Sequence, residues 1–128
     1  MQKARKKSRI MLIDDEEAIR ATLSESLVES GYQVLCAADG AEGLRLLVRH
    51  THPDIVITDL MMPHKEGLET ISEIKRRYPN IKVVAISGGG RFPTDNFLEF
   101  AEKLGADATL PKPVDIDRLE SVLQRLAG

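Results

Sequence analysis

Five short apolar runs, separated by segments of a different rhythm, restrict the fold of this chain more than anything else in its sequence. They are Ile10-Met11-Leu12-Ile13, Val34-Leu35-Cys36-Ala37, Ile55-Val56-Ile57, Val83-Val84-Ala85-Ile86 and the shorter Ala108-Thr109-Leu110. Each is continuous rather than alternating, as expected of strands covered on both faces in a parallel sheet. Between them apolar residues recur at helical spacing: Ile19, Leu23 and Leu27; Leu44 and Val48 with Leu47 beside them; Leu68, Ile71, Ile74 and Tyr78; Phe97, Ala101 and Leu104; and Ile116, Leu119, Val122, Leu123 and Leu126. Gly31, Pro79 and Gly105 stand where helices should stop. Five strands alternating with five helices predict an α/β, doubly wound (βα)5 sandwich in a single domain.

The 128 residues suffice for a real core, and no apolar run approaches the roughly 20 residues that span a bilayer, so no membrane insertion is expected. The start, MQKARKKSR, is basic but has no apolar stretch of the kind found in signal peptides. It predicts a solvated, disordered basic leader over 1–8, with the folded domain at 9–128. A basic leader on an acidic body argues against direct nucleic-acid binding, and 4% aromatic residues are too few for a base-stacking platform. Cys36 is the only cysteine, which excludes an intramolecular disulfide and fits a reducing, cytoplasmic setting. Its apolar neighbours predict an inert core side chain.

In an open parallel sheet the ligand site lies beyond the carboxyl ends of the strands. Here those ends carry Asp14-Asp15 after the first run, Asp59 after the third, Ser87 after the fourth and Lys112-Pro113 after the fifth. Three carboxylates brought together repel, and a cation relieves the repulsion. An all-oxygen donor set suits Mg2+, with Mn2+ as a possible substitute. Asp59 has no acid beside it and is the candidate nucleophile toward phosphorus, with Lys112 and Ser87 placed to neutralise and hydrogen-bond phosphoryl oxygens. Each residue also has an ordinary reading: Asp14 or Asp15 as a helix cap, Asp59 and Ser87 as turn residues, Lys112 as a solvated charge. Their shared placement at strand ends favours the site. The Gly88-Gly89-Gly90 triplet follows the fourth strand, not the first, and there is no G-x-G-x-x-G or G-K-[ST], so a nucleotide-binding loop is disfavoured.

The segments "MLIDDEEAIR", "PDIVITDLMMPHKEG" and "GADATLPKP" resemble the acidic pair, phospho-acceptor segment and lysine–proline end of response-regulator receiver domains, the CheY-like family. The resemblance implies the flavodoxin-like fold with strand order 2-1-3-4-5. By the same resemblance Asp59 would be the phospho-acceptor, and Asp14, Asp15, Asp59 and the backbone carbonyl of Met61 would hold the metal. Ser87 would be the switch hydroxyl and, with Gly88 and Lys112, would bind the phosphoryl group. The Lys112–Pro113 peptide would be cis. It implies a phosphorelay protein that takes its phosphoryl group from a sensor histidine kinase or a histidine phosphotransfer protein. Such a domain is not an enzyme toward other substrates and catalyses only its own phosphorylation and dephosphorylation. A downstream protein target would be contacted through the face made by the fourth helix, fifth strand and fifth helix, the protein being a monomer or weak dimer. The alternative is a docking module that works without phosphorylation.

Several residues depart from the family pattern. Thr109 stands where an aromatic ring usually moves during switching, and Val114 where a Phe often follows the lysine–proline pair. Ser87 and Lys112 are 25 positions apart, more than is usual, and Pro111 stiffens the strand end between them. His64 replaces the common small residue after Pro63 and reads as a surface turn residue. Met61 and Gly89, each two positions beyond a site residue, are expected to tune dephosphorylation. The lengthened loop, carrying Phe92 and leading to Phe97, is expected to move in place of the missing ring.

Overall fold

The computed structural model of the protein describes residues 8–49, 52–60, 66–88 and 94–127. Strands and helices alternate as β1 (Arg9–Ile13), α1 (Glu17–Glu29), β2 (Gln33–Ala37), α2 (Gly40–Arg49), β3 (Ile55–Asp59), α3 (Glu66–Arg77), β4 (Lys82–Gly88), α4 (Thr94–Lys103), β5 (Ala108–Lys112) and α5 (Ile116–Ala127). All four strand pairings are parallel, in the order β2-β1-β3-β4-β5. The doubly wound sheet with order 2-1-3-4-5 is therefore the observed fold. Met61, His64, Gly89, Phe92 and most of the leader lie outside the described residues. Ser8, assigned to the leader, already accompanies the sheet, its carbonyl accepting the Gln33 N–H.

The pleat divides the core. Ile10 and Leu12 of β1 and Ile55 and Ile57 of β3 pack with Leu23 and Leu27 of α1 and Leu119 and Leu123 of α5. Met11, Ile13 and Val56 point the other way, onto Leu47 of α2, Ile71 and Ile74 of α3 and Ala101 of α4. Continuous apolar runs are thus required in the central strands, where both faces are covered.

The expectation of two-sided burial fails at β2. It is an edge strand, paired only with β1, so Leu35 is 39% exposed and Cys36 is half-buried rather than in the core. On α2 the core position is Leu47, whereas Val48 faces solvent at 66% exposure. Leu104, at the end of α4, is also exposed. At the other edge, β5 accommodates Pro111 because an edge strand can lack one ladder donor.

Two glycines stop helices as the sequence predicts. After α1, Gly31 has φ 102°, with Gly31 N–H bonded to the Val28 carbonyl and Tyr32 N–H to that of Leu27. After α4, Gly105 has φ 113°, with Gly105 N–H on Glu102 and Ala106 N–H on Ala101. Both are Schellman closures, which need a left-handed residue.

Candidate functional site

The strand register builds the site step by step. Asp59 ends β3 opposite Ile86 of β4, so Ser87 lies one residue farther along the rim. Ser87 is in turn opposite Pro111 of β5, which puts Lys112 one residue beyond it. Asp14 follows β1, and its N–H reaches the Ala37 carbonyl at the end of β2. The carboxyl ends of all five strands therefore converge on one rim.

Lys112 spans that rim. Its Nζ lies 2.9 Å from Asp59 Oδ2, 3.3 Å from Asp14 Oδ2 and 3.8 Å from Glu16 Oε1. Asp14 and Asp59 are each only 3% exposed. Carboxylates that deep need compensation, and here one ammonium serves two of them. Burial raises the Asp14 pKa above its ordinary value, helped by the Asp59 charge and opposed by the Glu16 N–H and Lys112. Burial alone would lower the Lys112 pKa, but the Asp59 hydrogen bond and the charges of Asp59 and Asp14 outweigh it and raise it. The ammonium is thereby held charged.

Asp14, Asp15 and Asp59 each bring one carboxylate oxygen to within 4.8 Å of the others. Asp15 is exposed, so the cluster opens to solvent on that side. The donor set is oxygen only, two members are buried and one side is accessible, so the three residues fit a hard divalent cation. Ser87 Oγ is fully buried and has no hydrogen-bond partner among the described residues. Such a hydroxyl is uncommon in a folded protein.

Not every expected residue can be placed. Met61 and Gly89 lie outside the described residues; Gly88 closes β4 opposite Lys112. The Lys112–Pro113 peptide is cis. Thr109 is half-buried in β5 beside Ala85 of β4. His52 packs edge-on against Tyr78 with ring centroids 4.6 Å apart.

Sequence reasoning missed three contributors. Glu16 adds a third carboxylate near Lys112. Arg20 of α1 donates from Nη1 to the Asp14 backbone carbonyl at 2.6 Å. Gly67 lets α3 start directly against the end of β3: a Cβ there would lie 2.5 Å from the Asp59 carbonyl oxygen and 2.6 Å from Leu60 Cα. A glycine opening an amphipathic helix, where its propensity is poor, was the available signal for Gly67. Glu16 and Arg20 look like ordinary residues of a helix start.

A family model described as the response regulator receiver domain matches residues 10–124. The chain belongs to this family. It is 29% identical to sporulation initiation phosphotransferase F of Bacillus subtilis (strain 168), over 91% of each chain. It is 35% identical to the transcriptional regulatory protein GlrR of Escherichia coli (strain K12), aligning 89% of this chain with only 25% of that protein. With the response regulator MprA of Mycobacterium sp. (strain KMS), 33% identity covers 92% of this chain and 50% of the relative. The receiver thus corresponds to nearly all of one relative and to a quarter or a half of the others. Among solved structures, a receiver domain protein from Clostridium thermocellum superposes with TM-score 0.86 at 32% identity over 94% of both chains. A CheY-like receiver from Methanospirillum hungatei JF-1 gives TM-score 0.81 at 30% identity, also over 94% of both. The protein is therefore a receiver domain of the two-component response-regulator type.

Proposed function

We propose that this receiver accepts a phosphoryl group on Asp59 in a magnesium-dependent phosphorelay and changes its partner binding in response. The carrying observation is the Lys112 ammonium bridging Asp59 and Asp14 beside a buried Ser87 hydroxyl that has no partner among the described residues. Asp14, Asp15 and Asp59 would hold the cation, with the Met61 carbonyl as a further donor, and the bound cation would offset negative charge between carboxylates and phosphoryl oxygens.

The chain's own groups account for the rest of the transfer. An Asp59 carboxylate oxygen forms a bond to phosphorus as the P–N bond of a phosphohistidine donor breaks. The electron pair returns to the imidazole nitrogen, which takes a proton from solvent. Lys112 then pairs with a phosphoryl oxygen in place of the Asp59 oxygen it holds at 2.9 Å. Ser87 Oγ donates to another, which satisfies a hydroxyl that has no partner among the described residues. Hydrolysis reverses the state: water attacks phosphorus, inorganic phosphate leaves and the Asp59 carboxylate is regenerated. The protein turns over no other substrate in this reading.

The donor would be a sensor histidine kinase or histidine phosphotransfer protein. A small groove lined by Ala18, Ile19, Thr22, Pro113 and Val114 adjoins Lys112 and gives such a protein an apolar seat next to the acceptor. For output, the α4–β5–α5 face would contact a downstream protein, and Phe100 of α4 at 56% exposure and Leu104 just beyond the helix at 37% offer apolar surface for such a contact. Incubation with acetyl phosphate and magnesium, followed by intact mass measurement, tests the proposal. One added phosphoryl group, absent in Asp59→Asn and in chelator, is expected; no uptake from acetyl phosphate or any histidine-phosphorylated donor would overturn it.

A further inference from the structure

We propose that Arg20 is a positioning residue for the acidic rim, holding the Asp14–Asp15 peptide so that the Asp15 carboxylate meets the divalent cation; this rests on the metal-dependent reading above.

Asp14 is fixed by almost every polar group it has. Its N–H bonds the Ala37 carbonyl at 3.2 Å, Oδ1 accepts the Glu16 N–H at 2.9 Å, and Oδ2 faces Lys112 at 3.3 Å. Its carbonyl, the group that orients the peptide to Asp15, is held by Arg20 Nη1 at 2.6 Å. Asp15 is exposed, and its side chain forms no hydrogen bond or ion pair among the described residues. Its direction is consequently set by its backbone, and one plane of that backbone is the peptide that Arg20 grips. A half-buried guanidinium bonded to a carbonyl is a charge-assisted contact with fixed planarity, well suited to holding a peptide plane.

The alternative role for Arg20 is electrostatic, and it predicts the opposite sign. As a bare positive charge beside the acids, Arg20 would repel a cation, so removing it should tighten metal binding. As a clamp, removing it should weaken binding, because Asp15 would sample orientations away from the metal. Groups that orient ligands from behind typically change metal affinity by about 10- to 100-fold when lost.

Calorimetric titration of the unphosphorylated protein with magnesium chloride separates these roles. Arg20→Met is expected to weaken magnesium binding roughly tenfold, whereas Arg20→Lys, which keeps a charged donor, recovers most of the affinity. Thermal unfolding in chelator is run alongside, because a residue that only supports the fold would lower the melting temperature and leave the affinity of the folded protein unchanged. If Arg20→Met does not fold, Arg20→Gln carries the same comparison. Affinity in the neutral variant equal to or tighter than wild type, or no recovery in Arg20→Lys, overturns the positioning role. Failure of the wild-type protein itself to bind magnesium overturns both this role and the metal-dependent reading, and so is distinguished from failure of Arg20 alone.

Discussion

Gly67→Ala concentrates the link between packing and chemistry into one methyl group. A Cβ at residue 67 would stand 2.5 Å from the Asp59 carbonyl oxygen, 2.6 Å from Leu60 Cα and 3.1 Å from the Leu60 oxygen. An ordinary contact begins near 3.4 Å, so helix α3 and the end of β3 must separate by about 0.9 Å, and every atom in the way is backbone. Overpacking of this kind destabilises by about 1–3 kcal/mol. Replacing glycine by alanine in a helix returns up to about 1 kcal/mol. The net expectation is a loss of roughly 1–2 kcal/mol, seen as a melting temperature about 4–8 °C lower. The same displacement moves Asp59 relative to Lys112, now 2.9 Å away, and a misplacement near 1 Å can slow a reaction about 100-fold. Urea unfolding and the rate of phosphorylation by acetyl phosphate at saturating magnesium measure the two effects separately. Gly43→Ala is the control, since its Cβ would meet the Ile13 Cδ1 methyl at 2.7 Å, the mobile end of a side chain. It should phosphorylate at the wild-type rate. An unfolding midpoint of Gly67→Ala equal to that of Gly43→Ala, together with a phosphorylation rate within twofold of it, would refute the reasoning.

Two further outcomes follow from the site and one from the α4–β5 connection. Because burial raises the Asp14 pKa, the folded state holds that proton more tightly than the unfolded chain, so this group favours folding at low pH and loses that contribution as pH rises through the raised value. Asp14→Asn in chelator should therefore be more stable than wild type at pH 7, the gap closing as pH falls toward 3.8; a gap that persists unchanged to acid pH in denaturant titrations would contradict it. Ser87→Ala removes a hydroxyl with no partner among the described residues, so its stability should match wild type to within about 1 kcal/mol. Its affinity for beryllofluoride, read by fluorine NMR, should drop, and an unchanged affinity would remove Ser87 from the phosphoryl site. Gly105→Ala forces a side chain into φ 113° against Lys75 Cγ at 2.9 Å and should lower the melting temperature, whereas a neutral result would mean that the α4–β5 connection rearranges freely.

Much of this molecule could be read from the chain because parallel strands buried on both faces leave a period unlike that of the helices around them. The central strands β1, β3 and β4 obeyed that rule, and their carboxyl ends delivered Asp14, Asp59 and Ser87 to the rim. The edges did not. Burial of β2 depends on its having one neighbour instead of two, a tertiary fact absent from the local pattern, and so Leu35 and Cys36 were read as core. Val48 was grouped with Leu44 by spacing, yet the helix turns Leu47 inward. Arg20 and Glu16 escaped notice for a related reason: their value lies in what they reach across a loop, and nothing in residue type or spacing distinguishes them from solvated helix-start charges. Gly67 could have been found, since a glycine at a helix start asks for a close approach.

Position-resolved trapping of the modified carboxylate tests the central claim most directly. The protein is incubated with acetyl phosphate and magnesium, treated with borohydride, which reduces an acyl phosphate to an alcohol, and digested for peptide mass spectrometry. The account predicts conversion of residue 59 to homoserine, dependent on magnesium, with Asp14, Asp15 and Glu16 unmodified. Reduction at any other carboxylate, or none at residue 59 when the intact mass shows that a phosphoryl group was gained, would contradict it.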